Sequence, residues 1–491
     1  MIRFGTAGWR AVISDEFTFL NVRKVAHTLS AYIKENPEYG FNSPDYRALI
    51  GNLPPSPVPT VVVGFDTRFL SDEFAHEIAG VFALDGVKTL ISASDIPTPV
   101  VGWAVLNRKA VGGVMITASH NPAQYNGFKW MPFWGGAAVP NVTNDLERRI
   151  ELLGQHSIKL MSVDRSLRES WIETVDFRSG YFKHLSALLD VKTIKKSKLK
   201  VGVDSMHGCA RGYLRPFLET LGLEVEGLHE DRDVLFGGRA PEPGAESLRE
   251  LAELMKKRKL SLGLACDGDA DRFGILDAGG EWISANEALA LALDHLVTHH
   301  GLKGKVARSV MTSHFVDAVA KSHGLETRET PVGFKFIGDL LRTGQYILGG
   351  EESGGLTMQG HVPDKDGLLA CLLMLEIAAR EGKPLSAIRA RLFKKVGSFH
   401  NIRINYKMER LREMIELEER LRVKPPLELA GGSVWRIDQS DGFKFILRDG
   451  GWLGLRPSGT EPAFRVYAEA SSPQKLEALV SAGKKLLQGK F

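Results

Sequence analysis

The segment SLGLACDGDADR, residues 261–272, joins an apolar run to a loop that carries three carboxylates. Asp267, Asp269 and Asp271 follow the predicted strand Ser261–Ala265 at alternate positions. In an extended segment this spacing points all three side chains the same way. Three like charges on one side repel each other unless a cation neutralises them, and hard oxygen ligands favour Mg²⁺ or Ca²⁺. The alternative is a solvated acidic turn, but this acidic loop stands at the carboxyl end of a strand, where α/β folds place ligands.

The order of apolar strand, polar loop and helix recurs along most of the chain. Predicted strands at Thr60–Phe65, Lys200–Val203 and Lys305–Met311 each lead into such a loop and a helix, and Ser71 is the predicted N-cap of the first helix. This alternation predicts α/β domains with mixed, largely parallel sheets. From about residue 393 onward, several strands beside two helices predict a smaller α+β domain.

Composition excludes several classes of protein. Hydrophobic residues make up 43% and charged residues 25% of the 491 residues, which is typical of a folded protein and not of a disordered one. The 63 basic and 59 acidic residues give a net charge of +4, too small for a dedicated nucleic-acid binder. The apolar stretches are shorter than the roughly 20 residues of a membrane span. Three scattered cysteines and the lack of a signal-peptide pattern predict a cytoplasmic protein.

A second loop, the serine loop Thr117–Pro122 (TASHNP), also follows a predicted buried strand, Val111–Ile116. Ser119, beside a histidine, is a candidate nucleophile or phosphate carrier. The alternative is a serine in an ordinary turn, which is common for Ser-His-Asn-Pro. Lys129, ten residues on, is a candidate proton carrier or phosphate contact, although most lysines lie on the surface.

Two more loops are rich in glycine and polar groups. The glycine-rich loop Gly349–Gly355 (GGEESGG) offers carboxylate and hydroxyl groups that suit the vicinal hydroxyls of a sugar, although alone it also fits an ordinary turn. The arginine loop Arg456–Pro462 (RPSGTEP) joins an arginine fork, two hydroxyls and backbone N–H groups, which predicts a phosphate site. Together the four loops suit transfer of a phosphoryl group on a phosphosugar.

In this order, TASHNP, DGDADR, GEESGG and RPSGTEP resemble the α-D-phosphohexomutase family. The resemblance covers essentially the whole chain, from GTAGWR at Gly5–Arg10 to the last helix. It implies four domains around a central cleft, three α/β and a smaller C-terminal α+β domain. The predicted domains are 1–160, 161–280, 281–392 and 393–491, which hold the serine, acidic, glycine-rich and arginine loops in turn.

The resemblance also implies roles for individual residues. Ser119 would carry the catalytic phosphate, and a phosphate oxygen on it would share one Mg²⁺ with the three aspartates. The implied site has four groups of residues: catalytic Ser119, His120, Lys129, Arg10 and Arg272; metal-binding Ser119, Asp267, Asp269 and Asp271; sugar-binding Gly333, Glu351, Ser353 and Lys365; and phosphate-binding Arg456, Ser458, Gly459 and Thr460.

The implied reaction moves a phosphoryl group between O1 and O6 of a hexose. Phospho-Ser119 gives its phosphate to a hexose monophosphate, a hexose 1,6-bisphosphate forms and turns over, and the other phosphate returns to Ser119. Mg²⁺ is the implied cofactor and glucose 1,6-bisphosphate the activator and intermediate. The candidate general bases are His120, Lys129 and Lys365.

The sugar is expected to be glucose, so the expected reaction links glucose 1-phosphate to glucose 6-phosphate. Gly355 stands where dual-specificity phosphomannomutases and phosphoglucosamine mutases often carry histidine, and PVGFKF (331–336) and DKDG (364–367) look more like phosphoglucomutases. The alternatives are a phosphomannomutase or dual-specificity enzyme, a phosphoglucosamine mutase, a sugar-bisphosphate synthase or phosphatase, and a non-enzymatic binding protein. The expected partners are small hexose phosphates, without nucleic acid or membrane, and the expected assembly is a monomer or homodimer.

Overall fold

The computed structural model describes residues 2–5, 8–36, 38–50, 58–154, 169–408, 410–457 and 463–489. By its internal contacts the chain divides into two compact units. Unit 1 comprises Met1–Ala285 and Gly333–Ser386, and unit 2 comprises Asn286–Val332 and Ala387–Phe491. The boundary predicted near residue 160 lies outside the described residues, and all the predicted domain boundaries stay predictions.

The first sheet of unit 1 has six strands, β1 (Trp9–Val12), β2 (Thr60–Phe65), β3 (Lys88–Ser92), β4 (Gly112–Ile116), β5 (Tyr125–Pro132) and β6 (Ile172–Val175). They lie in the order β1-β5-β4-β2-β3-β6. Strand β2 runs parallel to β3 and β4, and β3 to β6, whereas β5 pairs antiparallel with β4 and β1. The helices of this region are α1 (Phe19–Glu35), α2 (Pro44–Ile50), α3 (Ser71–Leu84), α4 (Thr98–Arg108) and α5 (Pro140–Leu153).

The central strands of this sheet are apolar along their whole length because helices cover the sheet. Strand β2 (TVVVGF) is buried from its second residue on, and strand β4 is buried throughout. Val63, Val114 and Phe128 pack with Val22 and Phe74 in one apolar cluster. The sheet is therefore a rigid base for the loops at the carboxyl ends of β2 and β4.

One local prediction about this region is wrong. Helix α3 begins at Ser71, but its N-cap is Leu70, which has a left-handed φ of 60° and makes no capping hydrogen bond with its side chain. The hydroxyl of Ser71 instead donates to Asp66 Oδ1 at 2.7 Å. The buried carboxylate competes for the hydroxyl that the sequence pattern assigned to the helix terminus.

The second sheet of unit 1 has five strands, β7 (Lys200–Asp204), β8 (Glu224–Leu228), β9 (Leu262–Cys266), β10 (Phe273–Asp277) and β11 (Glu281–Ile283). Their order is β11-β10-β9-β7-β8. Strand β7 runs parallel to β8 and β9, and β10 pairs antiparallel with β9 and β11. The acidic loop thus joins the two strands of the β9–β10 hairpin. The accompanying helices are α6 (Arg178–Leu188), α7 (Val191–Ser197), α8 (Leu214–Thr220) and α9 (Arg249–Arg258).

Residues 285–396 contain two strand pairs, one in each unit. In unit 2, β12 (Lys305–Ser309) runs parallel to β13 (Thr327–Thr330). In unit 1, β14 (Tyr346–Glu351) pairs antiparallel with β15 (Gly355–Met358), and the turn between them belongs to the glycine-rich loop. The helices are α10 (Ala285–Thr298), α11 (His314–Ser322), α12 (Phe334–Arg342), α13 (Gly367–Glu381) and α14 (Leu385–Val396).

The C-terminal part of unit 2 is one antiparallel sheet of six strands, β16 (His400–Lys407), β17 (Glu428–Leu429), β18 (Gly432–Asp438), β19 (Phe443–Leu447), β20 (Trp452–Pro457) and β21 (Ala463–Ala470). The order is β16-β21-β20-β19-β18-β17. Two helices accompany it, α15 (Leu411–Val423) and α16 (Pro473–Leu487). The predicted fold class, three α/β domains followed by an α+β domain, is confirmed. Among the described residues, no helix is both long enough and apolar enough to cross a lipid bilayer.

Candidate active site

Ser119 lies in the serine loop between β4 and β5 and is fully buried. Its φ is 54°, in the left-handed region that residues with a side chain adopt rarely and at some cost. Its backbone N–H donates to Thr117 Oγ1 at 2.8 Å. Its Oγ donates to Asp267 Oδ2 at 2.7 Å. The strained turn therefore directs the serine hydroxyl at the acidic loop.

Arg68 holds the serine loop in this shape. It follows the carboxyl end of β2, has no exposed surface, and pairs with Asp66 Oδ2 at 3.1 Å. Its guanidinium also donates to four backbone carbonyl oxygens of the serine loop and the residues after it, those of Ser119 at 2.6 Å, Asn121 at 2.6 Å, Pro122 at 2.9 Å and Tyr125 at 3.0 Å.

Sequence reasoning did not single out Arg68 as a site residue. The signal that could have found it is Asp66-Thr67-Arg68 at the end of β2, because β2 lies beside β4 and the backbone N–H of Asp66 donates to the carbonyl of Ile116 at 3.0 Å. The carboxyl ends of adjacent parallel strands are where loops of α/β sheets meet.

The three aspartates of the acidic loop come together as the sequence predicts. Asp267, Asp269 and Asp271 are buried, and one carboxylate oxygen of each lies within 4.8 Å of the others. Burial and the two neighbouring carboxylates raise the pKa of Asp267 well above its usual range. Oδ1 of Asp269 and Oδ1 of Asp271 are buried without a hydrogen-bond partner in the described part of the chain. Buried, unpaired carboxylate oxygens in a cluster fit a divalent cation.

Two lysines neutralise part of this charge. Lys129, on β5, donates from Nζ to Asp269 Oδ2 at 2.6 Å and to Asp271 Oδ2 at 2.9 Å. Nζ of Lys365 lies 2.9 Å from Asp271 Oδ2. Burial opposes the charge on Lys129, but Asp269 and Asp271 outweigh it and raise the pKa of the ammonium group. Burial likewise opposes ionisation of Asp271, but the two lysines hold its pKa well below its usual range.

Two arginines stand beside the serine and acidic loops. Arg10, on β1, donates from Nη1 to Asn121 Oδ1 at 2.8 Å. Arg272 ends the acidic loop, and its backbone N–H donates to Asp267 Oδ1 at 3.0 Å. Its Nη1 lies 3.4 Å from Glu242 Oε1, while its buried Nε has no partner within the described ranges. A guanidinium with a buried, unsatisfied donor is suited to an anion such as phosphate.

His120 follows Ser119 in the chain, and its Nδ1 lies 3.4 Å from Ser119 Oγ. Burial and the positive charges of Arg272 and Arg10 lower the pKa of His120 well below its usual value. The imidazole is therefore neutral at pH 7 and keeps one ring nitrogen that can accept a proton.

Backbone hydrogen bonds bring two later segments to the acidic loop. The N–H of Phe273, directly after the loop, donates to the carbonyl of Gly354 at 3.3 Å. The N–H of Gly367 donates to the carbonyl of Ala270 at 3.0 Å. The glycine-rich loop and the segment that carries Lys365 thus lie against the acidic loop within unit 1.

Among the polar side chains of the glycine-rich loop, that of Glu351 is buried and that of Ser353 is half-buried. Glu351 Oε1 accepts from the backbone N–H of Gly333 at 2.7 Å. Burial, together with the neighbouring charge of Glu352, raises the pKa of Glu351 to about 7. The predicted sugar-binding residues Gly333 and Glu351 are therefore in direct contact.

The structure leaves no room for a side chain at position 355, which is a glycine. A Cβ built on Gly355 would lie 2.6 Å from Cδ and 2.7 Å from Cγ of Lys365, and 3.1 Å from Cδ2 of Phe334. The stem of Lys365 fills the space that a side chain at position 355 would need. The backbone next to Lys365 is held in place by Asp366, whose carboxylate accepts from Leu369 N–H at 3.0 Å and from His361 Nε2 at 2.7 Å.

Thr98 is a second residue that sequence reasoning missed. It begins α4, its backbone N–H donates to the carbonyl of Asp269 at 2.9 Å, and its hydroxyl donates to Asp269 Oδ2. The sequence feature that could have identified Thr98 is Pro-Thr-Pro at residues 97–99, because it predicts that a helix begins here, after a strand and a loop.

The arginine loop is described only in part. Arg456 is the last residue but one of β20 in unit 2, and its Nε donates to Asp441 Oδ1 at 2.8 Å. Ser458, Gly459 and Thr460 lie outside the described residues, so their predicted role stays a prediction. The other predicted site residues are grouped within unit 1, namely Arg10, Ser119, His120, Lys129, Asp267, Asp269, Asp271, Arg272, Gly333, Glu351, Ser353 and Lys365.

A serine hydroxyl beside a buried carboxylate cluster at the ends of α/β sheet strands suits the transfer of a phosphoryl group. Four domain profiles of one family match the chain, described as phosphoglucomutase/phosphomannomutase alpha/beta/alpha domains I, II and III at residues 46–156, 179–280 and 284–396, and the C-terminal domain at 404–482. The chain belongs to this phosphoglucomutase/phosphomannomutase family of α-D-phosphohexomutases, and it is an enzyme of the mutase (isomerase) class.

Individual relatives span the same length. The phosphoglucomutase/phosphomannomutase of Thermococcus kodakarensis is 29% identical over 99% of this chain and 98% of its own. A probable phosphoglucosamine mutase of Methanothermobacter thermautotrophicus is 35% identical over 84% of this chain and 87% of its own. The crystal structure of a putative phosphomannomutase from Thermus thermophilus superposes with a TM-score of 0.83 at 31% identity, covering 99% of both chains.

Replacing Arg68 by lysine tests whether it holds the serine loop. Lysine keeps the charge beside Asp66 but cannot reach four carbonyl oxygens, so we expect kcat to fall by about 10- to 100-fold through misplacement of Ser119. Arg23→Lys is the matched control, because Arg23 is in the same unit and pairs only with Glu77 in the described contacts. A kcat of Arg68→Lys within twofold of the control, in a protein with unchanged circular dichroism, would refute this role.

Replacing Asp269 by asparagine tests the metal site without any assay of turnover. We expect one Mn²⁺ bound per wild-type chain in an electron paramagnetic resonance titration, and at least about tenfold weaker binding in Asp269→Asn because a charged ligand is lost. Asp233→Asn, in an exposed turn, should bind Mn²⁺ like the wild type. Equal affinity in all three proteins would remove the acidic loop from metal binding.

Proposed function

We propose that this phosphohexomutase interconverts glucose 1-phosphate and glucose 6-phosphate, with Ser119 as the phosphate carrier. The observation that carries the proposal is the hydrogen bond from Ser119 Oγ to Asp267 Oδ2 at 2.7 Å. A hydroxyl that can carry a phosphoryl group reversibly thus lies against the cluster suited to a cation. Within the class, hexose phosphates are the small-molecule partners.

In the proposed first half of the reaction, the free hydroxyl oxygen of a hexose monophosphate bonds to the phosphorus of phospho-Ser119. The bond from phosphorus to Ser119 Oγ breaks, and the hydroxyl proton passes through a base to Ser119 Oγ. The hexose 1,6-bisphosphate then turns over, and the reverse step returns its other phosphate to the serine. Atoms and charge balance over the two halves, so no co-substrate is consumed.

The residues around Ser119 support stabilisation of the transferring phosphate. Asp267, Asp269 and Asp271 would hold Mg²⁺, which when bound supplies positive charge against the phosphoryl oxygens. Arg272 has a buried, unsatisfied Nε, and Arg10 lies against the serine loop through Asn121. Both guanidinium groups are charged at every physiological pH, so they would bind the phosphate whether it is on the serine or on the sugar.

His120 is the base that the contacts favour among the three candidates. Its burial between arginines keeps it neutral, and it lies 3.4 Å from Ser119 Oγ. Lys129 and Lys365 are ion-paired with carboxylates. Each would first have to lose a proton, which that pairing opposes, before it could accept one. A base must be uncharged before the transfer, which is the state of His120.

Glucose is the proposed sugar because position 355 is a glycine, where the family resemblance leads us to expect histidine in enzymes that also take mannose or glucosamine phosphates. An imidazole at position 355 would need the place that the Lys365 stem and Phe334 occupy here. Glu351, Ser353 and Gly333 would then bind the sugar hydroxyls beside the Lys365 stem. The probable phosphoglucosamine mutase among the relatives supports a second candidate, the aminosugar phosphate, and the phosphomannomutase names support mannose phosphate.

Replacing Ser119 by alanine should abolish mutase turnover while glucose 6-phosphate still binds. The phosphate would have no carrier, whereas the groups that bind the sugar are unchanged. Ser205→Ala is the matched control, since the Ser205 hydroxyl is also buried and has no partner among the described residues. Turnover by Ser119→Ala at the rate of the control would exclude Ser119 as the carrier.

A panel of three sugars tests the substrate. With Mg²⁺ and a trace of glucose 1,6-bisphosphate, we expect kcat/KM for glucose 1-phosphate to exceed that for mannose 1-phosphate and glucosamine 1-phosphate by at least about tenfold, the worth of one well-placed contact. Equal values for glucose and mannose would make the enzyme dual-specific. A preference for glucosamine 1-phosphate would replace glucose as the substrate.

The pH dependence of kcat/KM tests the role of Glu351. Its pKa is raised to about 7, so the carboxyl ionises as pH rises through 7 and only then accepts two sugar hydroxyls. We expect kcat/KM to rise through this range and Glu351→Gln to lose the inflection. In Glu352→Gln the inflection should persist at lower pH, because the charge that raises the Glu351 pKa is gone. An unchanged inflection in Glu351→Gln would assign it to another group.

A further inference from the structure

Asp441 is a carboxylate whose two oxygens bind two different parts of unit 2. Oδ1 accepts from Nε of Arg456 at 2.8 Å. Oδ2 accepts from the backbone N–H of Val332 at 2.9 Å. These two partners are distant in sequence from each other, and Asp441 alone joins them among the described contacts. Neither the sequence motifs nor the family comparison gives this residue a role.

The turn before β19 is built so that Asp441 reaches Arg456. Phe443 pairs with Leu455 across the β19–β20 ladder, which puts Gly442 beside Arg456. Gly442 has φ of 85°, and a Cβ there would lie 2.5 Å from the Leu455 carbonyl oxygen and 3.0 Å from Arg456 Cα. Glycine is the residue that permits this close approach.

The other partner of Asp441 is anchored in the core of unit 2. Val332 packs against a buried apolar cluster that includes Val310, Met311 and Trp452. Its backbone is therefore a fixed point, and the hydrogen bond from its N–H fixes the Asp441 carboxylate. The carboxylate can then fix the plane of the Arg456 guanidinium through Nε.

The contact with Asp441 uses only Nε of Arg456 and not its two terminal nitrogens, Nη1 and Nη2. In the described residues no side chain accepts from Nη1 or Nη2 of Arg456, and the side chain is 17% exposed. These two nitrogens form the fork that binds two phosphate oxygens at once. A fork whose Nε is already held loses less conformational freedom when phosphate binds.

We propose that Asp441 is a positioning residue of the phosphate site: it holds the Arg456 fork in one direction and ties it to Val332. The inference rests on the proposed function, in which Arg456 binds the phosphate that is not reacting. In each cycle Arg456 must bind one end of the bisphosphate and then the other. A fork that rotates freely would bind both ends less well and release the bisphosphate more often.

Two substitutions at Asp441 and one control test this. Asp441→Ala removes both hydrogen bonds, and Asp441→Asn keeps a single acceptor oxygen without charge. Asp449→Asn is the matched control. Asp449, like Asp441, accepts from one basic side chain, that of Lys475, and from one backbone N–H, that of Gly451, but it lies in the turn at the opposite end of the β19–β20 hairpin.

The expected kinetic result is a change in binding and not in the chemical step. Asp441→Ala should raise KM for glucose 1-phosphate about tenfold and Asp441→Asn about threefold, with kcat within about threefold of wild type at saturating bisphosphate. The concentration of added glucose 1,6-bisphosphate needed for half-maximal rate should rise in the same order. In an Arg456→Ala background, Asp441→Ala should add less than about twofold, because the group that it positions is gone.

A direct readout separates this inference from the proposed function. In ¹⁵N spectra of the arginine Nε–H groups, the Arg456 signal, identified by its loss in Arg456→Lys, should exchange with solvent faster in Asp441→Asn and not in Asp449→Asn. If the wild type turns over no hexose phosphate, the proposed function fails, and this signal still tests the contact. An unchanged signal, or a changed signal with wild-type KM and bisphosphate dependence in an active enzyme, would overturn the positioning role.

Discussion

The site around Ser119 depends on the repulsion between three buried carboxylates, those of Asp267, Asp269 and Asp271, whose oxygens lie within 4.8 Å of one another. Positive charge must offset this repulsion. Ionised groups that lose their hydration are stable only with partners of opposite charge. Lys129 and Lys365 supply part of the charge, and two carboxylate oxygens are left unpaired among the described residues. A cation would complete the balance and would also attract a phosphate on the serine, so binding of metal and phosphate would be coupled.

The fold meets this constraint by placing loops of different sheets against each other within unit 1. The serine loop follows β4 of the first sheet, and the acidic loop joins β9 and β10 of the second. Arg68 fixes the serine loop through four carbonyl oxygens, and Thr98 fixes Asp269 from the start of α4. These residues touch no substrate in the proposed reaction, yet they determine where the serine hydroxyl and the carboxylates stand.

The fold class and the clustering of the three aspartates could be predicted from the sequence, because both depend on local pattern. Alternate aspartates after an apolar strand predict the acidic loop, and the order of strands and helices predicts the α/β domains. The role of Arg68 could not be predicted because four of its partners are backbone carbonyl oxygens, which no residue pattern indicates. The contact of Lys365 with Gly355, and of Asp441 with Val332, depends on packing between distant segments. The capping role expected of Ser71 was wrong because a buried carboxylate took its hydroxyl.

The most direct test of the central claim is to locate the phosphate on the protein. The enzyme is incubated with glucose 1,6-bisphosphate labelled with ³²P, digested, and the labelled peptide is identified by mass spectrometry. We predict one labelled residue, Ser119, whose label passes to added glucose 1-phosphate or glucose 6-phosphate at the rate of turnover. Label on another residue, or turnover without any labelled protein, would contradict it.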